Sequence, residues 1–246
     1  MIRVGLRRYG LLVLAMLPFA VHSKPTLRVA VASNFSSTAG VLFDAFEQRH
    51  SVGIVMLVGS SGKHATQIQR GLPVDVFLAA DSVRPQWLES NGYALRGSRF
   101  TYALGQLALY SLKQRNIDDF IAGNKVAGRH LAVANPKLAP YGKAAFEYLA
   151  EQSFNKTAAY QIVKGESVGQ AFQFAASGSA DLALIAYSQA QRLSKGYVYL
   201  VPASSHQAIQ QQAVLIRDSS EARSLMRFLK SEDALNIIEN AGYLKP

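Results

Sequence analysis

The sequence of 246 residues contains no cysteine, one tryptophan and few charged residues, which make up 17% of the chain. Without cysteine, disulfides, thiolate metal sites, iron–sulfur clusters and a cysteine nucleophile are excluded. Beyond residue 23 no apolar run is long enough to span a bilayer, so we predict no stable membrane insertion. Hydrophobic residues nevertheless make up 49% of the chain, which is enough to fill a core.

The formal net charge is +10, which at first indicates an anionic partner. Three of the basic residues are arginines that precede a short apolar run, Leu11 to Ala20. A basic start, a short apolar run and small residues after it predict a secretory signal peptide over residues 1–23, cleaved after Ser23 or after Ala20. The alternative interpretation is a membrane anchor, but the apolar run is too short to span a bilayer comfortably. We therefore expect a periplasmic mature chain with a charge of +7.

The mature chain alternates strand-like and helix-like segments, a pattern typical of an α/β fold with largely parallel sheets. Two such runs follow one another without a linker rich in Pro, Ser or Gly. The joints are then strands that cross between two lobes, near Gly105 and near 203–212. We predict that lobe I comprises 24–104 plus 207–246 and that lobe II comprises 105–206.

Four predicted strand-to-helix turns carry small or hydroxyl-bearing residues: Ala32–Ser36, Gly59–Lys63, Pro140–Gly142 and Glu166–Gly169. The first N–H groups of a helix have no intrahelical acceptor, and the helix dipole is positive there, so such ends bind anions. We interpret the glycines in these turns as places where a ligand approaches the backbone. Helix capping alone is the alternative interpretation. If the two lobes face each other, the four turns converge on one cleft.

A catalytic alternative starts from Ser60 and Lys63, which match the Ser-x-x-Lys pattern of penicillin-interactive serine enzymes. The Lys-Thr-Gly and Ser-Asp-Asn motifs of those enzymes are absent. The histidines show no metal-ligand spacing, so we predict neither a metal site nor a cofactor. The basic residues are scattered, and no nucleic-acid partner is expected.

At the four turns the sequence resembles the periplasmic molybdate-binding proteins, the substrate-binding components of molybdate ABC importers. The resemblance extends through most of the mature chain. It is carried by Val31–Phe35, Gly59–Gly62, Gly71–Phe77, Ala134–Gly142 and Glu166–Ala171, of which Ala134–Gly142 is the most specific.

The resemblance implies a two-lobed type II periplasmic binding protein, in which each lobe is a mixed, mostly parallel sheet flanked by helices. It implies a monomeric, non-enzymatic receptor that passes molybdate or tungstate to the transmembrane subunits of an ABC permease. The implied ligand residues are Ser33 and Asn34 through N–H groups and side chains, Ser61 through its hydroxyl and N–H, and Tyr141 and Val168 through N–H groups. The same fold binding another oxyanion or a small organic anion remains the alternative.

The sequence departs from the family in the strand near residue 186. Some members place there a tyrosine that contacts the oxyanion, whereas this chain has Ala186 followed by Tyr187. We therefore do not carry that contact over, and whether Tyr187 reaches the cleft stays open.

Overall fold

A computed structural model of the chain describes residues 24–123, 128–152 and 160–246. The predicted signal peptide lies outside these residues. The described part contains two five-stranded sheets, each flanked by helices. Within it, no helix has the length and apolar character needed to cross a membrane.

The first sheet takes its strands from the beginning and the end of the described chain. Its elements are β1 (Thr26–Ala32), α1 (Ser36–Arg49), β2 (Gly53–Gly59), α2 (Ser61–Gln69), β3 (Val76–Ala79), α3 (Val83–Ser90), β4 (Phe100–Gly105), β10 (Ile209–Leu215), α8 (Ser220–Phe228) and α9 (Glu232–Asn240). The strand order is β2-β1-β3-β10-β4. The strands β1, β2 and β3 are parallel, and β10 is antiparallel to both of its neighbours.

The second sheet is built from the middle of the chain. Its elements are β5 (Leu107–Ser111), α4 (Gln114–Ile121), β6 (Arg129–Ala134), α5 (Pro140–Glu151), β7 (Tyr160–Gly165), α6 (Val168–Ala176), β8 (Leu182–Ala186), α7 (Tyr187–Ala190) and β9 (Tyr197–Leu200). The strand order is β7-β6-β8-β5-β9, in which β5 alone is reversed. The predicted α/β class with mixed, mostly parallel sheets is therefore confirmed.

The chain changes sheets twice. It leaves the first sheet at Gly105 and enters the second at Leu107, and it returns between Leu200 and Ile209 through a short 3-10 turn at Ala203–Ser205. These are the two segments in which the sequence predicts crossings. We call the first sheet with its helices the first lobe and the second sheet with its helices the second lobe. The exact residue bounds of the two lobes stay a prediction.

The core follows the alternation of side chains along buried strands. In β1, Val29 and Val31 face a cluster formed with α1, α8 and α9, whereas Ala30 faces the opposite cluster under α2 and α3. Both faces of the first sheet are thus covered, and the second sheet is packed within a core of its own. This arrangement directs the carboxyl ends of β1, β2, β6 and β7 toward the space between the sheets.

Three elements are determined by packing. The helix α4 is short and buries only Asn116, Ile117 and Phe120. The helix α7 ends at Ala190. The last strand, β10, begins at Ile209 because it pairs with β4 as well as with β3.

Candidate anion-binding site

The four turns singled out in the sequence meet at one small cavity, whose water-accessible volume is about 10 Å³. That volume is about what a single water needs, so the cavity is nearly closed in this structure. We call it the anion cavity, and its lining residues are Ala32, Ser33, Asn34, Ser60, Ser61, Ala80, Ala139, Pro140, Tyr141 and Val168. None of these residues carries a charge. All five predicted ligand residues are among them; that they bind an anion remains a prediction.

At the start of α2 the N–H groups of the first turn have identifiable acceptors, with one exception. Lys63 N donates to the capping hydroxyl of Ser60 at 3.4 Å, and Gly62 N donates to the carbonyl of Leu138 at 2.9 Å. The N–H of Ser61, the first helical residue, has no intrahelical acceptor. Because Ser61 lines the anion cavity, this donor is free to serve an anion there.

The start of α6 repeats this arrangement in the other lobe. Gln170 N donates to the capping hydroxyl of Ser167 at 3.2 Å, and Gly169 N donates to Ser33 Oγ at 3.1 Å. The N–H of Val168, again the first helical residue, has no intrahelical acceptor. The capping hydroxyl of Ser167 therefore does not bind the N–H of Val168, which lies at the cavity.

In the helix α5 a proline at the first position likewise leaves a single first-turn N–H group at the cavity. Pro140 occupies the first helical position, where its missing N–H costs nothing, and Gly142 N donates to the carbonyl of Ala139 at 2.9 Å. The remaining first-turn donor belongs to Tyr141, which lines the anion cavity. In α2 and α6 the capping hydroxyl thus accepts from a different N–H group than the one that lies at the cavity, and α5 has no side-chain cap.

Two serine hydroxyls add donors from the first lobe. Ser33 Oγ accepts from Gly169 N at 3.1 Å, and Ser61 Oγ accepts from Ala80 N at 2.9 Å. Each oxygen is thereby oriented as an acceptor, and its own hydrogen remains for a cavity ligand. The backbone N–H of Ser33 is used elsewhere, since it donates to the carbonyl of Gly59 at 2.8 Å. The structure thus offers the hydroxyl of Ser33, and not its N–H.

The side chain of Asn34 is also engaged away from the cavity. Its Nδ2 donates to Gln211 Oε1 at 2.8 Å and to Tyr243 Oη at 3.1 Å, which uses both amide hydrogens. Asn34 therefore has its backbone N–H to offer. Together with the donors above, the five predicted ligand residues offer six neutral donors: the hydroxyls of Ser33 and Ser61, and the N–H groups of Asn34, Ser61, Tyr141 and Val168.

The glycines of these turns serve close packing between protein segments, which corrects the interpretation that they admit a ligand. A Cβ at Gly62 would lie 2.9 Å from the carbonyl oxygen of Leu138 in the other lobe. A Cβ at Gly169 would lie 3.1 Å from the Cβ of Ser33. Glycine at the second position of α2 and of α6 thus lets the two lobes approach each other across the cavity.

Charged residues join the lobes outside the cavity. Lys63 Nζ and Glu166 Oε2 lie 2.6 Å apart, with both side chains more than half exposed, and Arg84 Nη2 donates to the carbonyl of Lys137 at 2.9 Å. The Lys63 ammonium is therefore paired with a carboxylate and is not directed at the hydroxyl of Ser60. The contacts that a Ser-x-x-Lys enzyme needs are absent between these two described residues.

One histidine lies close behind the second turn. His64 is buried, and its Nε2 lies 3.3 Å from the carbonyl oxygen of Val31. Burial lowers the pKa of His64 below its ordinary value. The imidazole therefore stays neutral near pH 7 and adds no cationic charge behind the cavity.

Tyr187 does not line the anion cavity. It is half-buried, and its ring lies beside Gly242. A buried polar group that was not predicted from the sequence lies behind Asn34 and consists of Gln211, Tyr102 and Tyr243. Its only sequence signal is a run of three amides, Gln210, Gln211 and Gln212, within an otherwise apolar strand.

A known protein family, known proteins and a solved structure resemble this chain over most of its length. Residues 27–244 match the family model of bacterial extracellular solute-binding proteins. The molybdate-binding protein ModA of Rhodobacter capsulatus is 39% identical over 218 residues, covering 87% of this chain and 86% of that protein. ModA of Azotobacter vinelandii is 39% identical over 224 residues, covering 88% and 89%. The solved structure of the Azotobacter vinelandii periplasmic molybdate-binding protein superposes with a TM-score of 0.80 at 37% identity, covering 89% and 99%.

Proposed function

The chain belongs to the molybdate-binding members of the bacterial extracellular solute-binding family, and we propose that it binds molybdate in the anion cavity for an ABC importer. One observation carries the proposal: all five residues that the family resemblance implies as ligands line a single cavity between the sheets. The type II periplasmic binding protein fold is confirmed by the match to the Azotobacter vinelandii structure.

The proposed mode of binding uses dipoles instead of ionic partners. A buried dianion paired with a buried Lys or Arg requires two charges to lose their hydration, which often exceeds the gain from their attraction. Six uncharged donors avoid the second desolvation, and the helix dipoles of α2, α5 and α6 favour negative charge at their N-termini. A hydrogen bond to a charged acceptor contributes about 1.5–3 kcal/mol, so six of them suffice for tight binding.

Size selects among tetrahedral anions in this proposal. Molybdate and tungstate are nearly equal in size and occupy the same donors. Sulfate is smaller, so some donors are left without an acceptor in a closed cavity. Each unsatisfied buried donor costs roughly 1–3 kcal/mol, and two of them are enough for a preference of about a hundredfold.

Binding also requires the lobes to close. The contacts of Gly62 N with Leu138 and of Gly169 N with Ser33 Oγ join the lobes directly beside the anion cavity. An anion that receives donors from both lobes stabilises this arrangement over an open one. We propose that the closed, loaded protein docks on the transmembrane subunits of the permease.

The relatives are binding proteins of a transporter and are not enzymes, and a periplasmic location is typical of them. We propose in addition that residues 1–23 are removed as a signal peptide, that the mature protein is a monomer, and that it uses no cofactor. Its metal would enter only as an oxyanion.

Isothermal titration calorimetry tests the proposal. The purified mature protein is titrated with molybdate, tungstate and sulfate at constant ionic strength. We expect one site per chain for molybdate and tungstate, and sulfate binding at least about a hundredfold weaker. Tight binding of sulfate or of an organic anion, with no heat from molybdate, would replace the proposed ligand by the alternative.

A further inference from the structure

Behind the anion cavity, one buried side chain contacts residues from both lobes without lining the cavity itself. Gln211 of β10 has no exposed surface. Its Oε1 accepts from Asn34 Nδ2 at 2.8 Å and from Tyr102 Oη at 3.2 Å. Its Nε2 donates to Tyr141 Oη in a long hydrogen bond of 3.4 Å. A carboxamide buried this completely costs free energy unless it is hydrogen-bonded, and two of its three partners, Asn34 and Tyr141, line the anion cavity.

Two of the partners of Gln211 are predicted ligand residues. Asn34 and Tyr141 each line the anion cavity, and each has a backbone N–H to offer there. Asn34 lies at the end of β1 in the first lobe, whereas Tyr141 lies in α5 of the second. Both side chains extend away from the cavity toward Gln211. A single carboxamide therefore connects two anion donors that come from opposite lobes.

Tyr243 holds Asn34 from a second side. Its hydroxyl accepts from Asn34 Nδ2 at 3.1 Å and donates to the Asn34 carbonyl at 2.9 Å. It also accepts from Ser188 Oγ of the second lobe at 2.8 Å. With Gln211 and Tyr243 bound to its amide and carbonyl, Asn34 has little freedom to rotate, and the direction of its N–H is fixed.

The space for this connection depends on Gly105, the residue at which the chain leaves the first sheet. A Cβ at this position would collide with the hydroxyl of Tyr141 and would lie 3.1 Å from Gln211 Nε2. Glycine at the crossover therefore allows the tyrosine of the second lobe to reach the carboxamide of the first.

From these contacts we infer that Gln211 is a positioning residue for anion binding, which sets the directions of the N–H donors of Asn34 and Tyr141. The inference rests on the proposed function of the anion cavity. It assigns to Gln211 an effect on affinity without any contact with the anion.

The groups around Gln211 are uncharged, which matters because they lie behind a site for a dianion. The titratable side chains facing it are Tyr102 of β4, Tyr141 of α5 and Tyr243 near the end of the chain. Burial raises the pKa of Tyr102 and Tyr141 well above the ordinary value and that of Tyr243 to about 12. Asp81 acts on Tyr102 from a greater distance and raises its pKa further.

The first experiment compares Gln211→Met with Gln212→Met. Gln212 is the neighbour in the same strand and is also buried, but its amide contacts Arg99 and Thr101, which do not line the cavity. Calorimetry with molybdate and tungstate should give an affinity at least about tenfold weaker for Gln211→Met and within about threefold of wild type for Gln212→Met. Equal effects of the two substitutions, or no loss in Gln211→Met, would overturn the inference.

The second experiment has a readout that a purely structural role would not change. Gln211→Glu keeps the shape of the side chain and adds a carboxyl whose charged form repels a dianion, so burial and the anion both raise its pKa. Its molybdate affinity should fall by about tenfold or more between about pH 6 and about pH 8.5, while that of wild type stays within about threefold. Parallel pH profiles for the two proteins would contradict the inference.

Two outcomes separate this inference from the proposed function. If the wild-type protein gives no heat with molybdate or tungstate, the proposed function fails and the inference fails with it. If wild type binds and Gln211→Met binds equally well, only the inference fails. Should Gln211→Met not fold, Tyr141→Phe decides, since it removes only the hydroxyl that Gln211 contacts. We expect its affinity to be at least about fivefold weaker, and an affinity within about threefold of wild type would overturn the inference.

Discussion

The two lobes contribute to the anion cavity in different ways. The first lobe supplies the hydroxyls of Ser33 and Ser61 besides two backbone N–H groups, and both hydroxyl oxygens accept from backbone N–H groups. The second lobe supplies backbone N–H groups alone, from Tyr141 and Val168 at the starts of α5 and α6. One half of the site is therefore open to change by ordinary side-chain substitution, whereas the other half is determined by the path of the backbone.

This difference indicates where affinity and selectivity can vary. A side-chain donor is lost with a single substitution, but a backbone donor persists through almost any change of residue. The second lobe thus presents a fixed pair of donors, and the first lobe presents donors whose number depends on residue type. Four substitutions test this contrast.

The largest effect is expected where the two halves meet. In Gly62→Ala the new Cβ would lie 2.9 Å from the carbonyl oxygen of Leu138, so the lobes cannot approach as closely. We expect molybdate affinity to fall by about a hundredfold or more, because donors from both lobes no longer reach one anion. Gly40→Ala in α1 is the control, since its Cβ would meet nothing within 4 Å. Wild-type affinity in Gly62→Ala would show that closure at this point is not needed.

Ser61→Ala tests the side-chain half of the site. It removes a hydroxyl donor, and it also leaves the buried N–H of Ala80 without its acceptor. We expect the binding free energy for molybdate to weaken by about 1.5–3 kcal/mol and the free energy of unfolding to fall by about 1–3 kcal/mol. The substitution is therefore expected to lower the free energy of unfolding as well as the affinity for the anion.

The control for Ser61→Ala is Ser167→Ala, which removes a capping hydroxyl that contacts Gln170 N and does not line the cavity. Ser167→Ala should lower the free energy of unfolding by about 1 kcal/mol and leave the molybdate affinity nearly unchanged. If calorimetry gives the two variants the same affinity, the hydroxyl of Ser61 is not a ligand.

Val168→Pro tests the backbone half. Proline is tolerated at the first helical position, and the preceding Ser167 has φ −141° and ψ 163°, a conformation compatible with a following proline. The substitution removes one N–H donor and keeps an apolar side chain. We expect affinity to fall by about tenfold and the melting temperature to change little. Val168→Ala, which keeps the N–H, should bind more tightly than Val168→Pro; the reverse order would exclude Val168 N as a donor.

The smallest effect is expected from the exposed ion pair between the lobes. Lys63→Met removes the partner of Glu166, but exposed pairs are screened by solvent and contribute little. Molybdate affinity should change by less than about threefold in calorimetry at moderate salt. A loss comparable to that of Ser61→Ala would mean that cationic charge, rather than neutral donors, holds the anion.

The comparison also shows what the sequence can predict. The four turns were found because strand and helix patterns are local, and a turn between them places a helix N-terminus at the end of a strand. The roles of Ser33 N–H and the Asn34 amide were not predictable, because their partners are set by tertiary packing. Gln211 and Tyr243 are 177 and 209 residues from Asn34 in sequence. The glycines were misinterpreted for the same reason: the segment opposite Gly62 belongs to the other lobe.

The most direct test of the central claim is a crystal structure with tungstate, located by its anomalous scattering. We predict the anion within the cavity, with donors from both lobes at about 2.7–3.2 Å and no Lys or Arg nitrogen within about 4 Å. The six donors expected to contact it are the hydroxyls of Ser33 and Ser61 and the N–H groups of Asn34, Ser61, Tyr141 and Val168. An anion held by a cationic side chain, or one that contacts only one lobe, would contradict the account.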